Sequence, residues 1–528
     1  MRQIHSSAWL LVLFSAVLQV LIFPLPNLYM LGWVATAPLI VALLRARVPQ
    51  TLQFRESPKL LPATPLQGFF LGYASGILWY AGTCYWIYST MRQYGGVGTA
   101  AAVGLLLLFC LYLGLYHGVF GLLVSLVAGG RDFSRRALLA APFLWVAVEL
   151  ARTSITGYPW ELLGTSQVDN IPLARIATVT GVYGLSFEIM VVNSAFAAAF
   201  LVRKEKRKAL LAAAVGAAIV LQAGRLVAPP PLPADHAALL VQQNIPVQEG
   251  AEWTKDYFAG TLRDLVWISL HPAGAANAHP DLIVWPESPA PFYTSDPLFR
   301  DTMSGLARES RAWIVAGSIG IRNASMTPDH ATQAYNSAAL ISPEGEWVSR
   351  YNKVHLVPFG EYVPFRRIFF FAGGLTQQVG DFTHGDSRAP LDAGGLKLGT
   401  FICYESVFPG EVRQFAANGG QVLVNISNDG WYGDSGAWAQ HLEQARMRAV
   451  ENSRWLLRDT NTGLTASIDP YGRVVASIPR KLRTALVAPY ALTSVTTFYT
   501  HHGDWFAYLC AIISVAALIA RFLSPKRA

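Results

Sequence analysis

Eight apolar runs, each close to the roughly 20 residues that cross a bilayer as a helix, constrain this 528-residue chain more than any other feature. They fall near residues 8–23, 28–44, 66–88, 98–127, 137–152, 176–202, 209–224 and 504–522. Lipid offers the backbone no hydrogen-bond partner, so runs of this kind are expected to be helical. Composition agrees: 52% of residues are hydrophobic and only 14% charged, against about a quarter charged in soluble domains.

The basic residues orient the spans. Arg45, Arg47, Arg55 and Lys59, then Arg131, Arg135 and Arg136, then Arg203, Lys204, Lys206, Arg207 and Lys208, and finally Arg521, Lys526 and Arg527 each follow an even-numbered span. The positive-inside bias therefore predicts cytoplasmic loops there and cytoplasmic termini. Arg92, Arg152 and Arg175 fall on the outer side as isolated exceptions. The net charge of +8 is spent on this asymmetry, with no basic stripe of the kind that binds nucleic acid. The first run ends in Phe-Pro-Leu-Pro-Asn and re-enters an apolar run at once, so it is expected as half of a membrane hairpin and not as a cleaved signal peptide.

Between the seventh and eighth runs the composition turns globular. The expected organisation is a membrane domain over residues 1–226, an outer domain over 234–495 and a last span over 503–523, with Ala228-Pro-Pro-Pro-Leu-Pro233 as a stiff connector. Within the outer domain, β-prone runs at Ala238–Gln242, Leu282–Trp285, Trp313–Ala316, Ser337–Ile341, Leu398–Ile402 and Val422–Ile426 alternate with helical patterns at 253–270 and 438–453. Strands alternating with helices predict an α/β layered domain, whose chemistry gathers at strand ends.

Three strand ends carry unusual polar groups. DLIVWPES closes an apolar strand with Glu287 after a proline, YNKVHLVPFGE carries Lys353 and Glu361, and GTFICYES carries Cys403. The other cysteines, Cys84, Cys110 and Cys510, sit in apolar runs as fillers, and neither the cysteines nor His501 and His502 form a metal-ligand pattern. Singly, each strand-end residue has a plain explanation as a turn carboxylate, a solvated cation or a core thiol. Together they form an acyl-transfer set: a carboxylate to take a thiol proton, and a lysine to stabilise a tetrahedral oxyanion.

The order Glu, Lys, Cys in the contexts WPE, YNKVHLVPFGE and ICYE resembles the nitrilase superfamily. With seven spans before such a domain and one after it, the chain resembles the membrane-bound apolipoprotein N-acyltransferase family of that superfamily, including the segments GYPWELLGTSQ (157–167) and NISNDGWY (425–432). The resemblance implies eight transmembrane helices and a nitrilase-like α-β-β-α sandwich inserted between helices 7 and 8. It implies a bacterial cytoplasmic (inner) membrane location with the catalytic domain periplasmic. The implied acyl donor is a phospholipid, typically phosphatidylethanolamine, and the acceptor is the α-amino group of a diacylglyceryl apolipoprotein. No cofactor or metal is implied, and a monomer is expected.

In that resemblance Cys403 is the nucleophile, Glu287 the general base and Lys353 the oxyanion partner, helped by the backbone N–H of Tyr404. Glu361 and Glu405 support them. Substrate contacts are expected at Trp253 and Asn336, although a helix-start tryptophan also serves as an anchor and Asn336 as a turn residue. FRRIFFFAGG (365–374), with Arg366, Arg367, Phe369 and Phe370, is either a lid entering the lipid or a buried aromatic cluster. One rival is a membrane-anchored amidase hydrolysing a small amide. Another is a transporter or receptor, for which Glu149 and Glu188 are the main intramembrane candidates.

Overall fold

The structure is a computed structural model that describes residues 4–48, 60–129, 134–202, 204–247, 253–272, 280–323, 332–363 and 381–523. The chain forms two compact units. One comprises Met1–Tyr88, Thr99–Ala228 and His502–Ala528; the other comprises Ser89–Gly98 and Pro229–His501.

Among the described residues of the first unit, five helices are long and apolar enough to cross a membrane: Thr99–Ala128, Ser134–Thr156, Val182–Leu201, Glu205–Leu226 and Trp505–Leu523. Helix Pro65–Thr83 carries glycines along the face that meets Thr99–Ala128. A Cβ on Gly72 would lie 2.1 Å from the His117 carbonyl oxygen, and one on Gly121 would lie 2.2 Å from that of Gly68. The two backbones therefore touch, as small-residue packing allows where lipid removes the hydrophobic drive between helices.

The first apolar run keeps its length as a helix, but the second is shorter than its sequence suggests. Ser6–Leu21 has 16 residues, and the second run is a 3-10 turn at Tyr29–Trp33 followed by an α-helix over only Ala37–Leu44. Asn193 repairs the break: its Oδ1 accepts from the N–H groups of Thr36 and Ala37 at 2.8 and 2.9 Å, and its Nδ2 donates to the Gly32 carbonyl at 2.8 Å. Irregular backbone is tolerated in such a setting only where a neighbour satisfies it.

The second unit contains strands β1 (His236–Gln242), β2 (Leu282–Trp285), β3 (Trp313–Arg322), β4 (Gln333–Ile341), β5 (Trp347–Asn352) and β6 (Leu391–Ala393). There follow β7 (Leu396–Ile402), β8 (Val422–Ser427), β9 (Leu456–Thr460), β10 (Thr465–Ile468), β11 (Val474–Ile478) and β12 (Thr484–Tyr490). They make two six-stranded sheets ordered β12-β1-β2-β3-β4-β5 and β11-β10-β9-β8-β7-β6. Each has a parallel centre, β1-β2-β3 in one and β7-β8-β9 in the other, with antiparallel flanks.

The two-residue period of a strand sorts the core. Leu240, Leu282, Val284, Val315 and Leu340 of the first sheet share one cluster with Val422, Val424, Ile426 and Leu457 of the second. The alternate residues Leu239, Ile283, Trp285, Ile314 and Ala316 pack instead against Leu262 and Leu265 of helix Lys255–Leu270 and Phe299, Met303 and Leu306 of helix Pro297–Ser310. Helices Pro409–Ala417 and Ala437–Asn452 bring Phe415, Leu442 and Ala445 to the second sheet. The unit is thus two sheets between helical layers, with the parallel strand ends as its natural site.

Candidate active site

Three strand ends and the interior of a fourth strand bring polar side chains together in the second unit. Glu287 follows β2 through Pro286. Gly317 on β3 lets this loop lie close, since a Cβ there would stand 1.9 Å from the Pro286 carbonyl oxygen. Asn336 lies on β4, and Lys353 directly follows β5, its N–H donating to the Asn336 carbonyl at 2.8 Å. Cys403 directly follows β7.

Asn336 links the two carboxylates. Its Nδ2 donates to Oε1 of Glu287 and to Oε1 of Glu361, each at 2.7 Å. The Lys353 ammonium stands 2.9 Å from the same Glu361 oxygen and 3.4 Å from Glu287 Oε1. Backbone donors take the remaining oxygens: Asn428 N–H reaches Glu287 Oε2 at 2.7 Å, and Val357 N–H reaches Glu361 Oε2 at 2.8 Å. Burial alone disfavours a charge on Lys353, which is 1% exposed, but the carboxylates of Glu361 and Glu287 outweigh it and hold the ammonium above the usual lysine range. Lys353 is therefore a fixed buried cation, not the solvated one its position at a strand end also allowed.

The thiol is biased the other way. Burial pushes Cys403 up, the Glu287 charge pushes it further, and Lys353 and a hydrogen bond with Ser427 work against both. The resting Cys403 thiol is neutral, so an attack by its sulfur would need a base to take its proton. Cys403 also has φ +49°, a left-handed conformation disfavoured in non-glycine residues.

Glu405 ties two of these strand ends together. Its Oε1 accepts from Tyr351 Oη at 2.7 Å, Val354 N at 2.7 Å and His355 N at 3.0 Å, and its Oε2 accepts from Ile402 N at 2.7 Å. All four donors sit beside Lys353 or Cys403. The carboxylate is a strut between the lysine loop and the nucleophile turn.

Compared with known proteins, residues 237–498 match the carbon-nitrogen hydrolase family model, and residues 15–195 match the apolipoprotein N-acyltransferase N-terminal domain. A curated apolipoprotein N-acyltransferase from Geobacter metallireducens is 34% identical over 521 residues, 97% of this chain and 94% of the relative. The chain belongs to the apolipoprotein N-acyltransferase family. The enzyme of that name from Methylococcus capsulatus is also 34% identical, over 91% of this chain and 90% of its own. Among solved structures, a carbon-nitrogen hydrolase from Helicobacter pylori aligns with 48% of this chain and 88% of its own at 17% identity and a TM-score of 0.35.

This acyltransferase of the nitrilase superfamily thus collects Glu287, Asn336, Lys353, Glu361, Cys403 and Glu405 in one buried cluster. Tyr404 is 6% exposed and sets its ring edge-on to Phe408, with centroids 5.1 Å apart. Trp253 precedes the Thr254 cap of helix Lys255–Leu270, where its ring meets Tyr257 at 4.9 Å and it packs partly buried against the outer core. Arg366, Arg367, Phe369 and Phe370 lie outside the described residues. Glu149, a transporter candidate, accepts from the Leu163 N–H at 2.8 Å and so holds a turn of its own unit. Among the described residues no group of three or more His, Cys, Asp or Glu side chains is arranged to hold a metal ion.

Sequence reasoning missed the support behind Cys403: Asp429, His441 and Arg458, all 0% exposed. Nothing local in the sequence marked them, because a charge in LLRDT, AWAQHLEQ or NDGWY reads as surface until the fold supplies its partner.

Proposed function

We propose that the enzyme moves a fatty acyl chain from a membrane phospholipid, typically phosphatidylethanolamine, through a Cys403 thioester to the N-terminal α-amino group of a diacylglyceryl-cysteine apolipoprotein. In the first half-reaction Cys403 passes its proton to Glu287 as Sγ attacks the ester carbonyl. The Lys353 ammonium and the Tyr404 N–H carry the oxyanion, and the lysophospholipid oxygen leaves with the proton held by Glu287. In the second, the α-amino group attacks the thioester, Glu287 takes its proton and returns one to the departing sulfur, and an amide remains. Glu361 and Asn336 keep Lys353 and Glu287 in place throughout.

The observation that carries this reading is the buried Glu287–Lys353–Cys403 cluster on a chain that aligns with the Geobacter metallireducens relative over 97% of its length, membrane half included. An anchored amidase would need the same cluster but leaves that shared membrane half without a role. The proposed topology is eight crossings in the bacterial inner membrane with both termini cytoplasmic and the catalytic unit periplasmic, supported by five long apolar helices and the placement of the basic clusters. A monomer is the proposed state. The test is product analysis: the purified enzyme given phosphatidylethanolamine and a diacylated lipopeptide should add one acyl chain to the peptide amine. Ammonia release from small amides without acylated peptide would favour the amidase.

A further inference from the structure

Ser406, His441 and Asp429 line up in the spatial order of a hydrolytic triad: Ser406 Oγ is 2.8 Å from His441 Nε2, and His441 Nδ1 is 3.0 Å from Asp429 Oδ1. All three are 0% exposed, so no acyl carbonyl can reach the serine. The cluster faces the backbone of the nucleophile instead. His441 Nε2 also stands 3.1 Å from the Cys403 carbonyl oxygen. A carbonyl only accepts, so this contact puts a proton on Nε2, and Arg458 Nη2, which only donates, stands 3.1 Å from Nδ1 and makes that nitrogen the acceptor.

The rest of the network fixes the imidazole. Arg458 Nη2 on β9 donates to both Asp429 oxygens at 2.9 and 3.1 Å, and Ser427 Oγ on β8 donates to Asp429 Oδ1 at 2.8 Å. Arg458 also donates to Asn425 Oδ1, while Asn425 Nδ2 donates to the Phe401 carbonyl on β7 at 3.2 Å. Strands β7, β8 and β9 and helix Ala437–Asn452 are thereby tied into the network that holds His441 beside the Cys403 carbonyl.

That oxygen matters because a peptide group is planar. The Cys403 carbonyl and the Tyr404 N–H belong to the same plane, so whatever fixes the carbonyl fixes the direction of the N–H. A hydrogen bond to the carbonyl also polarises the N–H opposite it. We infer that His441 is a positioning residue: by holding the Cys403 carbonyl it stabilises the left-handed nucleophile turn and presets the Tyr404 N–H toward the oxyanion. The inference rests on Cys403 and the Tyr404 N–H having the roles proposed above.

Two substitutions separate positioning from packing. A glutamine amide reaches about as far as Nε2 and can still donate to the Cys403 carbonyl, whereas an asparagine amide reaches only about as far as Nδ1. In full-length enzyme, the rate of Cys403 acylation by phospholipid is read beside its alkylation by iodoacetamide, a displacement that forms no oxyanion. His441→Asn should slow acylation about tenfold, the scale of one buried hydrogen bond, with alkylation changed less than about threefold; His441→Gln should acylate within about threefold of wild type. Equal acylation by the two variants, or parallel loss of both rates in His441→Asn, overturns the inference. If only His441→Gln folds, a tenfold fall in its acylation-to-alkylation ratio does so. A wild-type enzyme forming no thioester is a different result, because it overturns the function reading itself.

Discussion

The Lys353 ammonium is paired more closely with Glu361, at 2.9 Å, than with Glu287, at 3.4 Å. Glu361 therefore bears most of the work of keeping the buried lysine charged, and Glu287 keeps an oxygen engaged only by neutral amides: Oε2 accepts from the Asn428 N–H at 2.7 Å.

This division of labour predicts opposite effects on thiol acidity. Because the Glu287 charge raises Cys403 and Lys353 lowers it, Glu287→Gln should move the alkylation pH profile of Cys403 to lower pH, and Lys353→Met should move it to higher pH. In wild type the rate should keep rising above pH ~8.5, where an ordinary thiol titrates. Both variants should nevertheless lose acylation, by about 10²–10⁴-fold for the base and about 10²–10³-fold for the oxyanion partner. Iodoacetamide kinetics followed by mass spectrometry measures the profiles; shifts of the same sign would contradict the assignment.

Asn336 is the joint between the two carboxylates. Asn336→Leu leaves Glu287 and Glu361 each without a buried donor, at about 1–3 kcal/mol per group. Acylation should fall at least about tenfold, and Asn336→Asp should be worse still, since it adds a third carboxylate. Single-turnover acylation and thermal unfolding check both.

Glu405 should act through stability as well as rate. Glu405→Ala strands Tyr351 Oη and three backbone N–H groups, so a loss of about 3 kcal/mol or more is expected, larger than for Glu405→Gln, whose amide oxygen still accepts. Thermal unfolding of the two variants orders them. Equal stability would show that the strut is not needed.

In the membrane unit, Gly72→Val should prevent helix Pro65–Thr83 from closing on Thr99–Ala128, because its Cβ would overlap the His117 carbonyl oxygen. Recovery of folded, monodisperse protein should drop sharply. Gly104, whose Cβ would meet nothing within 4 Å, should accept alanine without loss.

The two kinds of apolar pattern were unequally readable. All six anticipated strands are present, because a buried parallel strand such as LIVW at 282–285 is apolar throughout and bounded by polar turns. β9 was not anticipated: Arg458 and Asp459 interrupt its apolar run, and only the fold reveals that both are buried. Asp429 and His441 escaped notice for the same reason, as charge in sequence reads as surface until a partner is found. Glu287, Lys353 and Cys403 were readable as strand-end chemistry, but not the role of Asn336 as their joint, which needs β4 and β5 side by side. The second apolar run looked like one span, and nothing local announced that Asn193, more than 150 residues away, would cap a break in it.

The most direct measurement is intact-protein mass spectrometry of wild type and Cys403→Ser after incubation with phosphatidylethanolamine carrying one isotope-labelled fatty acid. The prediction is a labelled, hydroxylamine-sensitive adduct on Cys403 of the wild type, absent from that site as a thioester in Cys403→Ser and discharged when a diacylated lipopeptide is added. An adduct that persists with the lipopeptide present, or acylated peptide formed by Cys403→Ser at the wild-type rate, would contradict the two-step transfer through Cys403.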